Sequence, residues 1–443
     1  MQVAVETDRE VDRILQRARA HRPDLEAWED ALRAAALAAG ATVLGGLVEE
    51  IAGTPRTEPV RCRCGGRMDN RGRKERRLLT LLGSIPYRRA RFQCPHCGAT
   101  RYPTDEELDV VGTGRSPGLR RIMARAGSQS TFREGVEDLR VYAGLHVSAK
   151  DLERVAEAIG HDVQVWLQQE QQALLQDGPP ASSSPDLPIL YIGMDGTGVP
   201  MTRRELRGRK GKQPDGTAKT REAKLGCVFT QTATDKDGLP IRDPDSTSFT
   251  GAIESADAFG WRLYAEARRR GVNRAQRVVV LGDGAVWIRN LTRMHFPHAT
   301  QIVDLYHARE HLAQLCRLLS DGEQRLGKQY ALWEKLLDQG NIEIIVEQAL
   351  QQMPTDPENH EKALKEIHYF KTNKKRMRYA HFRTQGLFIG SGVVEAGCKT
   401  LIAQRLKRSG MFWSRPGANA ILALRCLLRS GRLENYWESR LAA

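Results

Sequence analysis

The chain has 443 residues, with 68 Lys plus Arg against 54 Asp plus Glu, a formal net charge of +14. That length exceeds one ordinary core and predicts two to four domains. The charge favours a polyanionic partner through phosphate neutralisation, although excess charge also serves solubility. A secretory leader is not read at the amino terminus. The most apolar stretch, residues 34–48, lies between Arg33 and Glu49 and reads as too short to span a bilayer. A soluble, cytoplasmic, nucleoid-associated protein is expected.

In chain order, residues 1–58 have helical periodicity and form a helical lead segment. Residues 59–112 hold half of the eight cysteines, as Cys62-Arg-Cys64 and Cys94-Pro-His-Cys97, each pair followed by glycine. Two Gly-assisted turns joined by a hairpin through Leu78–Leu82 and Ile85 make a zinc ribbon, since tetrahedral Zn²⁺ takes four thiolates from such turns. The Cys-x-Cys spacing of the first pair is tighter than usual, and His96 is a substitute ligand. Zinc is preferred over four free thiols. Cys227, Cys316, Cys398 and Cys426 stand alone and read as small core residues in a reducing compartment. Residues 113–176 are helical. Two helices meeting near Gly144, the second capped by Ser148 with Asp151, fit a helix-turn-helix presenting Lys150 and Arg154 to a major groove, and equally an ordinary helical hairpin.

A Pro/Ser linker at 177–186 opens an α/β region. Strands are expected at 187–197, 224–234, 246–253, 274–283 and 300–305, with helices at 256–270 and 287–295. Three strands, helix, strand, helix and strand is the order of a ribonuclease H-like mixed sheet. The core runs over 187–307, a helical insertion over 308–385, and the last helices over 386–443. Asp195 and Asp283 follow apolar, β-branched runs, so each is expected at a strand's carboxyl end. Glu395 opens a helix after a Gly-Ser-Gly turn. Gathered carboxylates repel unless a cation sits between them, and Mg²⁺ or Mn²⁺ in pairs drives in-line phosphoryl displacement. From Thr202 to Lys224 there are nine basic residues, which predict a mobile extension between two strands that clamps DNA phosphates.

Asp195, Asp283, Asp304-Leu-Tyr-His307, a helical insertion and Glu395 resemble the DDE transposases of bacterial insertion sequences, nearest the Kra type and more distantly the Mutator group. Gly390-Ser-Gly-Val-Val-Glu395-Ala-Gly-Cys-Lys399 and Arg405-Leu-Lys407-Arg408 through Trp413 resemble the same family, so that the likeness covers about residues 60–435. The resemblance implies a DNA transposase that binds its element's ends and performs metal-dependent strand cleavage and strand transfer. Asp195, Asp283 and Glu395 would hold two Mg²⁺ or Mn²⁺ ions, and Asp304 and His307 would support them, Asp304 being also a candidate direct ligand. Arg203, Arg204, Arg207, Arg209, Lys210, Lys212, Lys399, Arg405, Lys407, Arg408 and Trp413 would contact double-stranded DNA, the last by stacking. A homodimer or larger synaptic assembly follows from the need to bring two ends together. A nuclease on the same fold, or a catalytically silent DNA-binding derivative, is the rival.

Blander readings attach to each residue. Asp283 caps helices as readily as it binds metal, Glu395 pairs with Lys399 at i,i+4, and His307 suits a sheet edge without function. Trp287 and Trp413 read first as packing residues. Gly193-Met-Asp195-Gly-Thr also suggests a phosphatase loop, but glycine stands where that chemistry needs its nucleophilic aspartate, and the reading is discarded.

Overall fold

The computed structural model describes residues 12–13, 16, 24–55, 58–176, 187–211, 213, 216–320 and 322–441. The linker 177–186, Lys212 and most of 1–23 lie outside them. The chain divides into two compact units, Met1–Ala156 and Glu157–Ala443.

In the first unit, helix α1 (Leu25–Gly53) is capped by Asp24. Strands β1 (Asp69–Thr80) and β2 (Gly83–Gln93) form an antiparallel hairpin closed by Leu81-Leu82, with Thr80 opposite Gly83. β3 (Thr100–Arg101) adds to β2. Leu78, Ile85 and Tyr87 point to one side, as strand alternation requires, and pack with Val48, Ala52 and Val110. Beneath them the buried Asp105 accepts from Tyr87 at 2.7 Å and pairs with Arg76 and Arg89. Helices α2 (Pro103–Glu107), α3 (Pro117–Gln129) and α4 (Phe132–Ala143) follow, and α5 (Ala149–Gln176) begins in this unit and continues into the second. Gly144 ends α4 in the left-handed conformation, and Ser148 accepts the Asp151 amide at 3.1 Å, as the capping pattern predicts. Asp151 also holds Arg115 at 2.6 Å. One expectation fails on length. The apolar stretch is part of a 29-residue helix of mean hydropathy 1.7 over its best window, long and apolar enough to cross a membrane by length and composition alone.

The second unit is built on a five-stranded mixed sheet in the order β10-β9-β4-β5-β8. Its strands are β4 (Leu187–Pro200), β5 (Thr220–Gln231), β8 (Ser248–Ala252), β9 (Ala275–Gly282) and β10 (Thr300–Val303), with a small β6–β7 hairpin (Ala233–Thr234, Pro240–Ile241) outside it. β4, β5 and β8 pair antiparallel, whereas β4, β9 and β10 run parallel. α6 (Arg203–Leu206) lies between β4 and β5. Leu190, Ile192 and Met194 face one side, where helices α7 (Ala256–Arg269) and α8 (Val286–His295) bury them with Phe259, Leu263, Ile288 and Leu291. Tyr191 faces the other side, stacked on Phe229 at 4.8 Å, with Phe388 edge-on at 5.3 Å.

After β10 the chain leaves the sheet through α9 (Leu305–Leu319), α10 (Glu323–Gln339), α11 (Ile342–Gln351), α12 (Pro357–Asn373) and α13 (Tyr379–Thr384). It returns as α14 (Gly392–Gly397), a π-helical segment (Cys398–Ala403), α15 (Gln404–Leu406), α16 (Arg415–Arg429) and α17 (Leu433–Leu441). The π segment loosens the hydrogen-bond ladder, and buried Arg425 bonds carbonyls there, donating to Leu401 O at 2.8 Å and Thr400 O at 2.5 Å.

Candidate active site

The parallel register sets the site. Gly193 pairs with Leu281, and Val303 with Gly282, so two further residues bring Asp195 abreast of Asp283 and one brings Asp304 beside it. Three acidic residues therefore stand in a row across three neighbouring strands. Asp283 and Asp304 directly follow β9 and β10. Asp195 departs from expectation by lying inside β4, paired with Leu225, because the antiparallel partner β5 continues where β9 has stopped.

By alternation Asp195 shares the face of Tyr191 and Gly193, the face covered by α14 and the π segment. A Cβ at Gly193 would stand 2.7 Å from Cys227 Sγ and 3.1 Å from Val394 Cβ, so only glycine lets α14 approach β4 this closely. Burial raises the Asp195 carboxyl above its usual value and the nearby Asp283 carboxylate adds to this, against hydrogen bonds from the Cys398 thiol and the Gly196 amide. Asp283 Oδ1 accepts the Ala285 amide at 2.8 Å in the turn ahead of α8, but the helix's N-cap is Ala285 and no side chain caps it, so the capping reading does not hold; the Asp283 main-chain carbonyl accepts the Tyr369 hydroxyl at 3.0 Å.

Asp304 is fully buried. Its Oδ1 accepts the His307 amide at 2.7 Å and lies 3.3 Å from His307 Nδ1, while Oδ2 accepts the Ser391 amide. Burial alone would raise this carboxyl, but the hydrogen bonds hold it below its usual value. His307 Nδ1 is 3.7 Å from Glu395 Oε1, and Ser391 Oγ donates to the same oxygen at 2.6 Å. The hydrogen bond with Asp304, aided by the charges of Asp304, Asp283 and Glu395, pushes His307 up to about 9. Asp304, His307 and Glu395 offer ligand atoms within 4.8 Å of one another, an oxygen-rich set that could bind a hard divalent ion.

The basic residues separate into two groups. Arg203, Arg204, Arg207, Arg209 and Lys210 are exposed around α6, as are Lys399 and Arg408; Lys212 is outside the described residues. Lys407 Nζ donates to Thr197 Oγ1 at 2.9 Å, two residues along β4 from Asp195. Arg405 and Trp413 contradict the expected DNA-facing edge. Arg405 is fully buried, with its guanidinium 5.0 Å from the Trp413 ring. Trp413 is 7% exposed; its indole donates to Leu406 O at 3.0 Å and its amide to Pro200 O at 3.1 Å. Trp413 pins the end of β4, Arg405 packs under it, and neither offers a face to a base.

In the first unit, Cys62, Cys64, Cys94 and Cys97 bring four sulfurs within 4.8 Å of one another. Cys62–Cys97 and Cys64–Cys94 are 3.5 and 3.6 Å apart, close to the roughly 3.8 Å edge of a tetrahedron with metal–sulfur bonds of about 2.3 Å. Gly65 and Gly98 take positive φ (87° and 71°) in the two turns. Amides of Cys97 and His96 donate toward Cys94 and pull its thiol down to about 6. This set could hold zinc. His96 is not part of the cluster; its ring packs over Gly66.

Sequence reasoning missed Tyr369, Ser391 and Cys398 as neighbours of the carboxylates. Ser391 and Cys398 flank Glu395 within the quoted segment, but Tyr369 lies inside the insertion, where no local pattern marks it.

Residues 264–440 match the model of an uncharacterised protein family, UPF0236. The match spans less than half of the chain; it takes in Asp283, Asp304, His307 and Glu395 and leaves out Asp195 and the four cysteines. No curated protein matches. Among solved structures, the chain is similar to the Drosophila P element transposase strand transfer complex, at 11% identity and a TM-score of 0.24, over 72% of this chain and 79% of that one. So slight a likeness carries neither fold nor function across.

Proposed function

We propose that the chain is a DNA transposase of the DDE type, with Asp195, Asp283 and Glu395 as its catalytic carboxylates on a ribonuclease H-like core. The observation that carries this is that residues far apart in sequence come to one end of the sheet: Asp195 and Asp283 stand abreast on adjacent strands, and Glu395 meets His307 and Ser391, both bonded to Asp304, which follows the next strand. The sheet order, with three antiparallel strands followed by two parallel ones, agrees with the core proposed. The basic surface around α6 and Lys407 suits a polyanionic substrate beside the carboxylates.

The carboxylates would fit Mg²⁺ or Mn²⁺ as hard oxygen donors, and the charge of Asp283 already helps to raise the Asp195 carboxyl. Bound there, paired ions would supply an activated hydroxyl and stabilisation of the leaving oxygen. The chain's own residues do the positioning. Asp304 holds the start of α9 and the Ser391 turn, Ser391 orients Glu395, and Tyr369 holds the Asp283 main chain. The four-cysteine unit, carrying structural zinc, and the α4–α5 helices would bind the element's ends, and synapsis would need at least two copies.

The test incubates purified protein and Mg²⁺ or Mn²⁺ with DNA carrying both flanks of its own gene and a plasmid target. Flank cleavage with joined products, lost in Asp283→Ala and Glu395→Gln, is expected. Cleavage without joining would make the protein a nuclease. Binding without either reaction, by folded and metal-loaded protein, would make it a silent derivative.

A further inference from the structure

Half-buried arginines in the second unit are generally paired. Arg262 holds Glu254, Arg269 holds Glu266, Arg309 holds Asp338, Arg378 holds Glu343 and Arg432 holds Glu170. A buried or half-buried guanidinium without an anion forfeits hydration, so this pairing is the expected state. The half-buried Arg268, Arg270 and Arg277 turn instead to a ring face, a main-chain carbonyl and a Gln oxygen, whereas the half-buried Arg289 and Arg376 and the exposed Arg293 have none of these among the described residues. Nor, among those residues, has any of these last three a carboxylate within ion-pair distance, and Arg289 Nε is buried with no hydrogen-bond partner.

They are also gathered. Arg289 and Arg293 stand one turn apart on the same face of α8, the helix that starts just after Asp283. Arg376 ends the Lys374–Arg376 turn after α12, which packs against β10, the strand following α8. Burial and the charges of Arg289 and Arg293 hold the Arg376 guanidinium below its usual value. The charge of Arg376 also reaches Tyr369, whose hydroxyl is bonded to the Asp283 carbonyl. Like charges brought together without counter-ions raise the energy of the free protein, and an anion bound among them lowers it. Guanidiniums suit phosphate because their N–H forks match two of its oxygens.

We propose that Arg289, Arg293 and Arg376 form a phosphate-binding site along the helix that follows Asp283, and that it takes the phosphodiester backbone of the nucleic acid strand being processed. The site rests on the DNA reading above and deepens it. The helical insertion, through Arg376, thereby supplies part of the substrate path. The three residues would set where the strand lies while the carboxylates act on it.

The test measures duplex binding by fluorescence anisotropy across salt, using the full chain without divalent ions. Wild type is compared with Arg289→Gln/Arg293→Gln/Arg376→Gln and with Lys362→Gln/Lys365→Gln, which removes two exposed lysines paired on α12. Each lost phosphate contact lowers the slope of log affinity against log salt by about 0.9, so the triple variant should lose between about 2 and 3 in slope. Its affinity near 0.15 M salt should fall on the order of 100-fold, with the lysine pair close to wild type. The single Arg293→Gln change, at an exposed position with little risk to folding, should lower the slope by about 1. Unchanged slopes in folded variants that bind like wild type would overturn the site and leave the DNA reading standing. Wild type that is folded but binds no duplex would overturn the DNA reading itself. If inorganic phosphate then raised the melting temperature of wild type and not of the triple variant, the nucleic-acid assignment would fall and free phosphate would replace it.

Discussion

Asp304→Asn separates a positioning carboxylate from a metal ligand. In the native site each oxygen of Asp304 accepts a main-chain N–H: Oδ1 takes the His307 amide, with the His307 ring 3.3 Å away, and Oδ2 the Ser391 amide. Asparagine keeps one acceptor, so either amide then faces an NH₂ group with donor against donor. A hydrogen bond to a charged group contributes about 1.5 to 3 kcal/mol, and a buried donor left unpaired costs about 1 to 3 kcal/mol. A local loss of about 2 to 3 kcal/mol follows, concentrated at the Ser391 turn and the first turn of α9. The whole chain has two units, so a single unfolding free energy is ill-defined and local hydrogen exchange is the better readout. At about 1.4 kcal/mol per tenfold, peptides spanning residues 388–396 and 304–310 should exchange roughly 30- to 150-fold faster in the variant. Mn²⁺ binding by the variant should weaken without losing stoichiometry, whereas Glu395→Gln should lose binding with exchange at α9 nearly unchanged. Native-like exchange together with a lost ion in Asp304→Asn would refute the reasoning and make Asp304 a direct ligand.

Three further outcomes are expected. Cys94→Ser/Cys97→Ser should reduce zinc from about one ion per chain to none by metal analysis, and retention of the ion would exclude the four-cysteine site. Gly193→Ala should cost about 1 to 3 kcal/mol by overpacking against Cys227 and Val394 and should weaken divalent-ion binding, because the helix carrying Glu395 must move; a variant with native melting and ion affinity would contradict this. Arg405→Gln should lower the melting temperature while leaving the salt slope of DNA binding within about 0.5 of wild type, since the side chain is buried under Trp413; a lost phosphate contact would instead appear as a slope change near 0.9.

The alternation of Leu190, Ile192 and Met194 against Tyr191, Gly193 and Asp195 was legible in the sequence because strand period depends only on backbone geometry. Strand and helix positions in 187–307 follow from that periodicity to within a few residues, as does the excursion into helices after β10. Three features were not legible. The burial of Arg405 and Trp413 depends on the chain folding back onto the end of β4, a contact across some two hundred residues that a basic-aromatic motif cannot reveal. The extent of α1 was hidden because Arg33 and Glu49 look like boundaries of an apolar run although both are helical residues. Tyr369 acts through one hydroxyl on a main-chain carbonyl, so its role is set by where α12 docks and by no neighbouring residue.

The 308–385 insertion also has a closure that explains how so long an excursion coexists with a positioned glutamate. The chain departs at Asp304 and comes back to the same carboxylate at Ser391, 87 residues on, with a second rung from the Leu305 amide to Ile389 O at 3.1 Å. One carboxylate thus caps the outgoing helix with one oxygen and fastens the returning turn with the other. Doubling the length of a closed loop costs only about 0.6 kcal/mol in chain entropy, less than one charge-assisted hydrogen bond contributes. The position of Glu395 is therefore governed by the clamp at Asp304 and barely by the number of residues between. Within the insertion, Tyr369 makes a third tie, to Asp283, so the helical block is fastened to the site at its exit, at its return and in its interior. A block held at three points beside the carboxylates presents Arg376 at a fixed place, as a path for a rigid, charged strand requires.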